Sequence, residues 1–470
     1  MKIKSSFLVF VARAVFTIES YVIHIILGHF LNPIEYGVWG VVFNLLNIFR
    51  NVLNNGLPQT LTKLVAENIE NAFLYKKRIL KLGTILGVAF GIIFYFSADP
   101  IASLMNDPSI GIYLRLVSIL IPSLTIFSIY LGALTGMKSF GSYAFIIIFY
   151  QIIQVLMVYI PLELGYGLLG ALIGYIVSTL LILILTIIIT DRKISSKLVN
   201  LSQEIKITTL GIFKSAGPLS IFVILLNILM TADLLFVKRT YSDSPISGYY
   251  NVATTLSKFP YYLYTSIAIT LLPNIASKIK TATSEKVNRL IQNNIEILLY
   301  MMVPALAIIS INANEIIPLM YPREYLPSAD ILKYIIFGFG FHTLNYVLVI
   351  ALFAKDNVTK PLYAITLALI SSFIINGVFI PIYGINTAIF VCLFIPAAMS
   401  IYFFRLVIKE YGKIINVAVY LKIGAITASI SIAAYLIKVN GILAIIECGI
   451  LYCISIIPIS RDLLGQKQHE

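Results

Sequence analysis

The chain has 470 residues, of which 59% are hydrophobic and 12% are charged, and its mean hydropathy is +0.94. A soluble globular domain is nearer half apolar and a quarter charged, so this composition excludes an ordinary soluble protein. The charged residues are also grouped, which leaves apolar runs of about 20 residues, long enough to cross a ~30 Å hydrocarbon core as a helix. We therefore predict an all-α polytopic membrane protein.

The apolar runs predict about fourteen membrane-spanning helices. The first run, about 7–31, is too long for the apolar region of a secretory signal and has no small-residue cleavage site, so we interpret it as the first span. The predicted spans are 5–31, 36–58, 79–97, 110–135, 141–161, 166–190, 211–238, 246–273, 290–312, 328–354, 360–380, 384–406, 415–437 and 440–459. No connection is long enough for a folded extramembrane domain, so any site must lie among the helices or at their ends.

Lysine and arginine are distributed unevenly between the two sides of this topology. With the connections assigned alternately to two sides, the side that holds both termini receives 25 of the 34 basic residues. The other side receives six, and three fall within spans. This asymmetry follows the positive-inside rule, so both termini are predicted to be cytoplasmic in the cell membrane. The net charge of +13 is thus attributed to topology, and no nucleic-acid partner is expected.

Three short patterns recur in the same order, a little over 210 residues apart. They pair EYGVWG (35–40) with ISGYYN (246–251), LPQTLTK (57–63) with LPNIASK (272–278), and YGLLGA (166–171) with YGINTA (383–388). In each half the Leu-Pro is predicted to end the helix that the first pattern begins. Six spans separate the partners, so the halves have the same orientation, an arrangement typical of transporters whose substrate path lies between the halves. The predicted parts are an N-terminal lobe at 1–195, a C-terminal lobe at 207–412 and two further helices at 415–460.

The segment NPIEYGVWGVVFNLLNIFRNVLNNGLPQTLTKLVAE (32–67) resembles the second-helix motif of the polysaccharide flippases. These are the O-antigen or oligosaccharide-lipid exporters of the multidrug/oligosaccharidyl-lipid/polysaccharide (MOP) superfamily. The residues that match the family pattern are Glu35, Tyr36, Gly37, Gly56, Leu57 and Pro58. Asn32-Pro33 departs from the family's Gly-Pro, and SGYYNVATTL (247–256) is similar to its Gly-x-Tyr-x-x-Ala element. The resemblance implies a MOP flippase fold and the export of a lipid-linked glycan.

The second span carries polar residues on one face only. At 100° per residue the polar side chains fall within an arc of about 140° and apolar residues fill the opposite side. These polar residues are Asn44, Asn47, Arg50, Asn51, Asn54 and Asn55. A charge inside a span costs at least ~2.5–3.5 kcal/mol, so it needs partners, water or a function. A polar seam between helices is one reading. We favour a hydrated cavity, because an arginine stands among five asparagines.

Two other spans carry polar stripes with a cation. On the first span Arg13 aligns with Ser6, Thr17, Ser20 and His24. Glu19 lies off that stripe and is a candidate pairing partner, so an ion pair of Arg13 with Glu19 that holds the bundle is an alternative to a binding role. On the eighth span the shared arc holds Asn251, Thr254, Thr255, Lys258, Tyr262 and Thr265.

These stripes predict a cationic substrate site that uses Arg13, Arg50 and Lys258 with Asn47, Asn51 and Asn54. Arginine binds phosphate oxygens bidentately and lysine binds them as a point charge. A lipid-linked oligosaccharide carries a phosphate or pyrophosphate, which agrees with what the resemblance implies. We expect a flippase that works by alternating access in surface polysaccharide or glycoprotein glycan assembly. It is expected to function as a monomer, beside glycan-assembly enzymes.

The resemblance also implies a place for cation coupling. Some lipid-linked precursor flippases of the superfamily build a sodium site from an aspartate on helix seven and Asn or Asp groups on helix eleven. Asp233 and Asn376 match those helices, but a second carboxylate on helix eleven is missing, since Gly377 and Val378 follow. Sodium coupling, proton coupling and facilitated exchange therefore stay open. An ion pair of Asp233 with Lys238 or Arg239 is the alternative.

Two other functions were weighed against the flippase. Cation-coupled multidrug efflux would share the fold, but its cationic substrates favour acidic cavities, whereas the stripes here are basic. A membrane glycosyltransferase or polymerase needs carboxylates in a substantial outer loop, and the outer acidic residues are spread over short loops. The cysteines Cys392, Cys448 and Cys453 show no metal-binding spacing. No enzyme activity, cofactor or metal is therefore expected, apart from a coupling Na+ or H+.

Overall fold

The computed structural model describes residues 2–54, 56–195, 209–268, 284–355, 357–412 and 417–437. All regular structure in these ranges is helical, which confirms the all-α prediction. The helices form two compact units. The first comprises Met1–Asn227 with Lys238–Ser247, and the second comprises Ile228–Val237 with Gly248–Glu470. The predicted lobe bounds, which place the division between 195 and 207, stay a prediction.

The first nine helices all belong to the first unit. They are α1 (Lys2–Phe30), α2 (Pro33–Asn54), α3 (Leu57–Glu67), α4 (Ala72–Phe96), α5 (Ala98–Leu104), α6 (Ser109–Val117), α7 (Leu120–Gly136), α8 (Phe140–Glu163) and α9 (Gly167–Ser195). The chain continues with α10 (Thr209–Thr240), α11 (Ile246–Ala268), α12 (Ser284–Ile311), α13 (Ala313–Met320), a 3-10 turn (Arg323–Tyr325), α14 (Ser328–Ala354), α15 (Thr359–Tyr383), α16 (Ile385–Tyr411) and α17 (Val417–Ile437).

The helices have the length and composition of a multi-pass membrane protein. In the described part of the chain, nine helical segments are long and apolar enough to cross a membrane. Helix α2 is not among them, although it has 22 residues. Its asparagines and Arg50 lower its hydropathy below that of the nine segments, so α2 needs polar surroundings on one side.

Twelve of the fourteen predicted spans each coincide with one helix, and their bounds shift by a few residues. The fourteenth, 440–459, lies outside the described residues. The predicted fourth span, 110–135, is instead two helices, α6 and α7, which are interrupted at Ser118 and Ile119. Proline 122 has no N–H to donate to the carbonyl of Ser118 four residues earlier, which explains the interruption.

The predicted role of the first Leu-Pro is wrong. Helix α2 ends at Asn54, and Leu57 and Pro58 begin the separate helix α3 after Gly56. Proline suits the first turn of a helix, because its missing N–H would have no partner there and its φ already fits. The hydroxyl of Thr60 donates to the Gly56 carbonyl at 3.0 Å and closes this turn. The second Leu-Pro, at 272–273, lies outside the described residues.

The core of the first unit joins helices α3, α4, α7, α8 and α9. Its fully buried apolar side chains include Leu61, Ile79, Ile129, Ile146 and Ile182, one from each helix. This packing holds α8 and α9 in fixed register, and both helices carry polar side chains that face the interior of the unit.

Helices α8 and α9 make a close backbone approach at Gly174. A Cβ atom at this position would overlap the carbonyl of Met157 in α8, and small residues permit such approaches between membrane helices. We expect Gly174→Ala to lower the free energy of unfolding by about 1–3 kcal/mol through overpacking. Thermal unfolding of the purified protein in detergent measures this loss. Gly141→Ala is the control, because a Cβ there meets no atom within 4 Å; equal losses in both variants would refute the close approach.

In the second unit, α14 and α16 pack closely where a proline interrupts the helix hydrogen bonds of α16. Proline 396 cannot donate to the carbonyl of Cys392, and a Cβ at Gly338 of α14 would overlap that carbonyl. The Asn345 amide donates to the Pro396 carbonyl at 2.9 Å, and the Ser400 hydroxyl donates to Asn345 Oδ1 at 2.9 Å. These bonds fix α16 against α14 and hold Cys392 in the interior of the unit.

Candidate functional site

The polar face predicted on α2 is partly open within the first unit. Asn44 is buried, whereas Asn47, Arg50 and Asn51 are half-buried. On the apolar side Leu46 and Leu53 are buried, whereas Val52 is exposed, so only part of that side packs inside the protein. The side chains of Asn54 and Asn55 lie outside the described residues. The polar and apolar faces of the described part of the helix therefore do not differ uniformly in burial.

Arg50 lies near groups from two other helices of the unit. Its charge acts on Tyr150 of α8 and Tyr175 of α9, and both phenols also interact with the carboxylate of Glu19 of α1. The ion pairs formed between described residues do not include Arg50. A half-buried guanidinium that forms no ion pair with the described carboxylates can bind an anion through several N–H donors.

Aromatic rings form one side of this region. Trp39 and Phe43 stack at 4.0 Å between ring centroids, and the ring of Tyr175 lies edge-on to Phe43 at 4.7 Å. The hydroxyls of Tyr150 and Thr179 are hydrogen-bonded at 2.9 Å. These contacts hold both tyrosines in place beside the charged residues.

The polar stripe of α1 is described only in part. The side chain of Arg13 lies outside the described residues, so its predicted role and its predicted pairing with Glu19 stay predictions. His24 forms a hydrogen bond through Nδ1 to the hydroxyl of Tyr36 at 2.7 Å. This bond gives His24 a structural partner at the base of α2.

The second unit brings Asp233 and Asn376 together, although the two residues lie far apart in sequence. The amide of Asn376 donates to Asp233 Oδ1 at 2.6 Å, and the hydroxyl of Tyr250 donates to Asp233 Oδ2 at 3.3 Å. Asn376 also donates to the hydroxyl oxygen of Ser372 at 3.1 Å, while its own carbonyl oxygen has no hydrogen-bond partner. A buried carboxylate and an unpartnered amide oxygen at one place are oxygen ligands suited to a small cation or a proton.

The alternative pairing of Asp233 with Lys238 is wrong. The ammonium of Lys238 is fully buried and pairs with Asp107 at 2.8 Å, and it also donates to the carbonyl of Ser242. Nearby, the Asn106 amide donates to the Arg239 carbonyl at 2.9 Å. The end of α10 is thus bonded to the loop between α5 and α6, within the first unit.

The Lys238–Asp107 pair predicts a pH-dependent stability. Burial raises the pKa of the Asp107 carboxyl, but hydrogen bonds from Lys238 and Ser109 and the Lys238 charge lower it by more, so the pKa lies below its usual range. The group therefore stabilises the fold above the ordinary aspartate pKa of about 3.9, and this stabilisation is lost as the pH falls through the lower folded-state pKa.

At pH 7 we expect Asp107→Asn to lower the free energy of unfolding by about 3 kcal/mol, because it leaves a buried ammonium without its carboxylate. Thermal unfolding across the acid range measures the difference from wild type, which should narrow as the pH falls. The double variant Asp107→Asn/Lys238→Met is expected to recover part of the loss. A difference that is the same at all pH values would contradict a charge-based role.

Lys258 of α11 is half-buried and lies close to the thiol of Cys392 in the second unit. The rest of the polar arc predicted on α11 differs from expectation. Asn251, Thr254 and Thr255 are buried, and the Thr254 hydroxyl donates to the Asn251 carbonyl at 3.0 Å. The α11 backbone and neighbouring groups form hydrogen bonds with these short polar side chains. That part of the arc is therefore packed within the unit. Tyr262 is exposed, and the side chain of Thr265 lies outside the described residues.

Several residues that contact these charges were not predicted. They are Tyr150 and Tyr175 in the first unit, with Gln154 hydrogen-bonded to Tyr175, and Tyr250 and Ser372 in the second. A signal was present for some of them. Two glutamines three residues apart interrupt the apolar span α8, and Ser372 lies one helical turn before Asn376 on α15. The tyrosines carried no such signal, because tyrosine is common throughout the chain.

A nearly all-helical membrane protein with a buried carboxylate in each unit is consistent with a transporter architecture, and comparison with known proteins gives the family. The family model described as "Polysaccharide biosynthesis protein" matches residues 26–330. The chain belongs to this polysaccharide biosynthesis protein family. No curated protein sequence matches it at a significant level.

Solved structures share the fold over most of the chain. The lipid II flippase MurJ in an inward closed conformation is 16% identical, with a TM-score of 0.70, and the match covers 98% of this chain and 100% of MurJ. An inward-facing multidrug resistance MATE transporter of the MOP superfamily is 14% identical, with a TM-score of 0.68 and coverage of 85% and 95%. A MOP superfamily transporter from Pyrococcus furiosus, described as having a binding pocket of reverse polarity, is also 14% identical, with a TM-score of 0.65 and coverage of 88% and 95%. The fold is therefore that of the MOP superfamily, as predicted.

Proposed function

We propose that the protein is a flippase that moves a lipid-linked oligosaccharide across the cytoplasmic membrane by alternating access. The observation that carries the proposal is Arg50, a half-buried guanidinium on the polar face of α2 that pairs with no described carboxylate. Its anionic ligand would be the phosphate or pyrophosphate between lipid and glycan. Membership of a polysaccharide biosynthesis family supports this substrate class.

Each unit would supply its own groups to substrate binding. In the first unit Arg50 holds phosphate oxygens bidentately, and Asn47 and Asn51 hydrogen-bond to neighbouring polar atoms. Arg13 is assigned to the same phosphate-binding site because of its position on the polar stripe of α1. In the second unit Lys258 supplies a further cationic position, as a point charge on a flexible stem.

Coupling to an ion gradient is assigned to Asp233 with Asn376. The carboxylate would take a proton or Na+ and change charge at a buried position, which alters the relative free energies of two conformations. Facilitated exchange without coupling is the alternative within this proposal. The protein would act as a monomer with both termini in the cytoplasm, as a transporter without enzymatic activity, and would receive its substrate from glycan-assembly enzymes.

A second candidate function is cation-coupled multidrug efflux. The fold shared with MATE transporters and the buried Asp233 carboxylate favour it. The cations on the stripes disfavour it, because organic cations would be repelled by Arg50 and Lys258. The Pyrococcus furiosus protein, whose description attributes a different function to reverse pocket polarity, supports the use of pocket charge as the criterion.

Transport into proteoliposomes distinguishes the two functions. The purified full chain is reconstituted, and two probes are offered separately: a fluorescent undecaprenyl- or dolichyl-pyrophosphate oligosaccharide and a fluorescent organic cation. We expect protein-dependent movement of the anionic glycolipid and none of the cation. Movement of the organic cation alone would refute the flippase function and support multidrug efflux.

A further inference from the structure

The hydroxyl of Tyr250 is shared between two buried groups of the second unit. Tyr250 lies on α11 and is fully buried. Its hydroxyl donates to Asp233 Oδ2 at 3.3 Å, and the same hydroxyl is hydrogen-bonded to the thiol of Cys392 on α16. A phenol has one proton, and Asp233 accepts it, so the thiol is the donor to the Tyr250 oxygen. The hydrogen bonds therefore run in one direction, from Cys392 through Tyr250 to Asp233.

The bond from Tyr250 is the weaker of the two bonds to the Asp233 carboxylate. The amide of Asn376 donates to the other oxygen at 2.6 Å. An O–H···O bond is usually about 2.5–3.0 Å long, so the 3.3 Å bond from Tyr250 is stretched. Its strength also depends on the negative charge of the acceptor, because a charge-assisted bond is about twice as strong as a neutral one. A cation that neutralises Asp233 would therefore release the Tyr250 proton first.

The sulfur of Cys392 is the acceptor next to a released Tyr250 proton. Cysteine sulfur accepts hydrogen bonds weakly, and this sulfur already contacts the hydroxyl. Helix α14 packs directly against Cys392, since a Cβ at Gly338 would lie 3.2 Å from the sulfur. A rotation of the Tyr250 O–H bond is then sufficient to exchange the carboxylate for the sulfur, without movement of a helix.

The charge of Lys258 acts on the same sulfur. Lys258 lies on α11, eight residues after Tyr250, and its ammonium interacts electrostatically with the Cys392 thiol. The titratable groups around Tyr250 are thus Asp233 from α10, Lys258 from α11 and Cys392 from α16. A hydroxyl that donates to the sulfur competes with the ammonium for the sulfur lone pairs, so the ammonium becomes available to an anion.

We propose that Tyr250 is a positioning residue that couples cation binding at Asp233 to anion binding at Lys258. A proton or Na+ on Asp233 takes the lone pairs of the Tyr250 oxygen, and the O–H bond of Tyr250 then turns to Cys392. Only in the proton case does a bond form, an O–H on Asp233, with hydronium as the source and water left behind. Cation and anion would each raise the affinity for the other. The inference rests on the proposed function in one respect, the assignment of a cation to Asp233.

The S–H stretch of Cys392 measures this switch in the purified full chain. The band lies in an infrared region with few other protein bands, and its frequency rises when the thiol stops donating a hydrogen bond. Cys392→Ser identifies the band among those of the three cysteines. We expect the wild-type band to move to higher frequency on acidification, or when Na+ replaces choline at constant pH. No transported substrate is present, so the result does not depend on glycolipid transport.

Three variants assign the shift to Tyr250. Asp233→Asn should abolish the response, because the neutral amide attracts no cation. Tyr250→Phe keeps the carboxylate and should also abolish it. Tyr249→Phe is the matched control with the wild-type response, because the ring of Tyr249 lies against Tyr325 at 6.5 Å. A response that persists in Tyr250→Phe would overturn the role of Tyr250 and leave Asp233 as a cation site. A wild-type band that ignores both cations would overturn the proposed coupling role of Asp233 as well.

Binding of inorganic pyrophosphate gives a second measurement, which also serves if Tyr250→Phe does not fold. Calorimetry at the cation concentration that shifts the S–H band should show an affinity about fivefold or more above that without the cation, a typical size for coupled sites. In Cys392→Ala, which retains Tyr250 and both charges, the ratio should fall to that of Asp233→Asn under the same conditions. A wild-type ratio retained by Cys392→Ala would refute the coupling through the sulfur.

Discussion

Arg50→Ala is expected to abolish glycolipid transport, with a loss of about 100-fold or more in rate. The reason is the removal of a charge-assisted, bidentate contact to phosphate, which contributes about 1.5–3 kcal/mol for each bond to a charged group. Because 1.4 kcal/mol corresponds to a factor of ten, the loss of one to two such bonds gives this magnitude. Arg50→Lys should retain roughly a tenth of the wild-type rate, since the point charge remains and the fork geometry is lost.

The measurement is the initial rate of glycolipid movement into proteoliposomes that contain equal amounts of each variant. Arg78→Ala is the matched control, because Arg78 is an exposed arginine of the same unit, at the start of α4. Expression and thermal unfolding should not change for Arg50→Ala, since no described carboxylate depends on this guanidinium. Wild-type transport by Arg50→Ala would show that the polar face of α2 is only a seam between helices.

Asp233→Asn is expected to remove the response of transport to an ion gradient, while exchange down the substrate gradient continues. Asparagine is nearly isosteric, so the hydrogen bond from the Asn376 amide to the residue 233 side-chain oxygen is retained. The negative charge that attracts a proton or Na+ is lost. Accumulation ratios above one, driven by the ion gradient in wild type, should fall to one in the variant.

Proton and sodium gradients are imposed separately to identify the coupling ion. Asp243→Asn is the control, because Asp243 is exposed in the loop between α10 and α11. Asn376→Leu should weaken coupling as well, since it leaves Asp233 without its 2.6 Å donor. If wild-type transport ignores both gradients, Asp233 has no coupling role and the protein exchanges its substrate passively.

The two candidate sites were predictable to different extents. Helical periodicity alone predicted the polar face that contains Arg50, because that pattern is local to one helix. The Asp233–Asn376 pair was expected from a family resemblance, which placed each residue on its helix. Tyr250 could not be added from the sequence, since its hydroxyl reaches Asp233 only through the packing of α11 on α10.

The local errors also have physical reasons. The Leu-Pro at 57–58 is compatible with either the end or the start of a helix. It lies at the start of α3, because the N–H groups of a first helical turn have no intrahelical acceptor and proline lacks an N–H. The interruption at Ser118 depends on a single missing N–H at Pro122, an effect that hydropathy does not register. Both errors concern helix bounds and leave the order of the spans unchanged.

The sequence by itself determined the class of the protein, its α-helical spans and the face of α2 that carries charge. Each of these depends on the hydropathy and periodicity of consecutive residues, so no knowledge of distant contacts is needed. Only the tertiary structure decided that Lys238 pairs with Asp107, and that Glu19 lies near Tyr150 and Tyr175. Those contacts join helices that are remote in sequence, and the charge of a side chain does not specify which helix packs beside it.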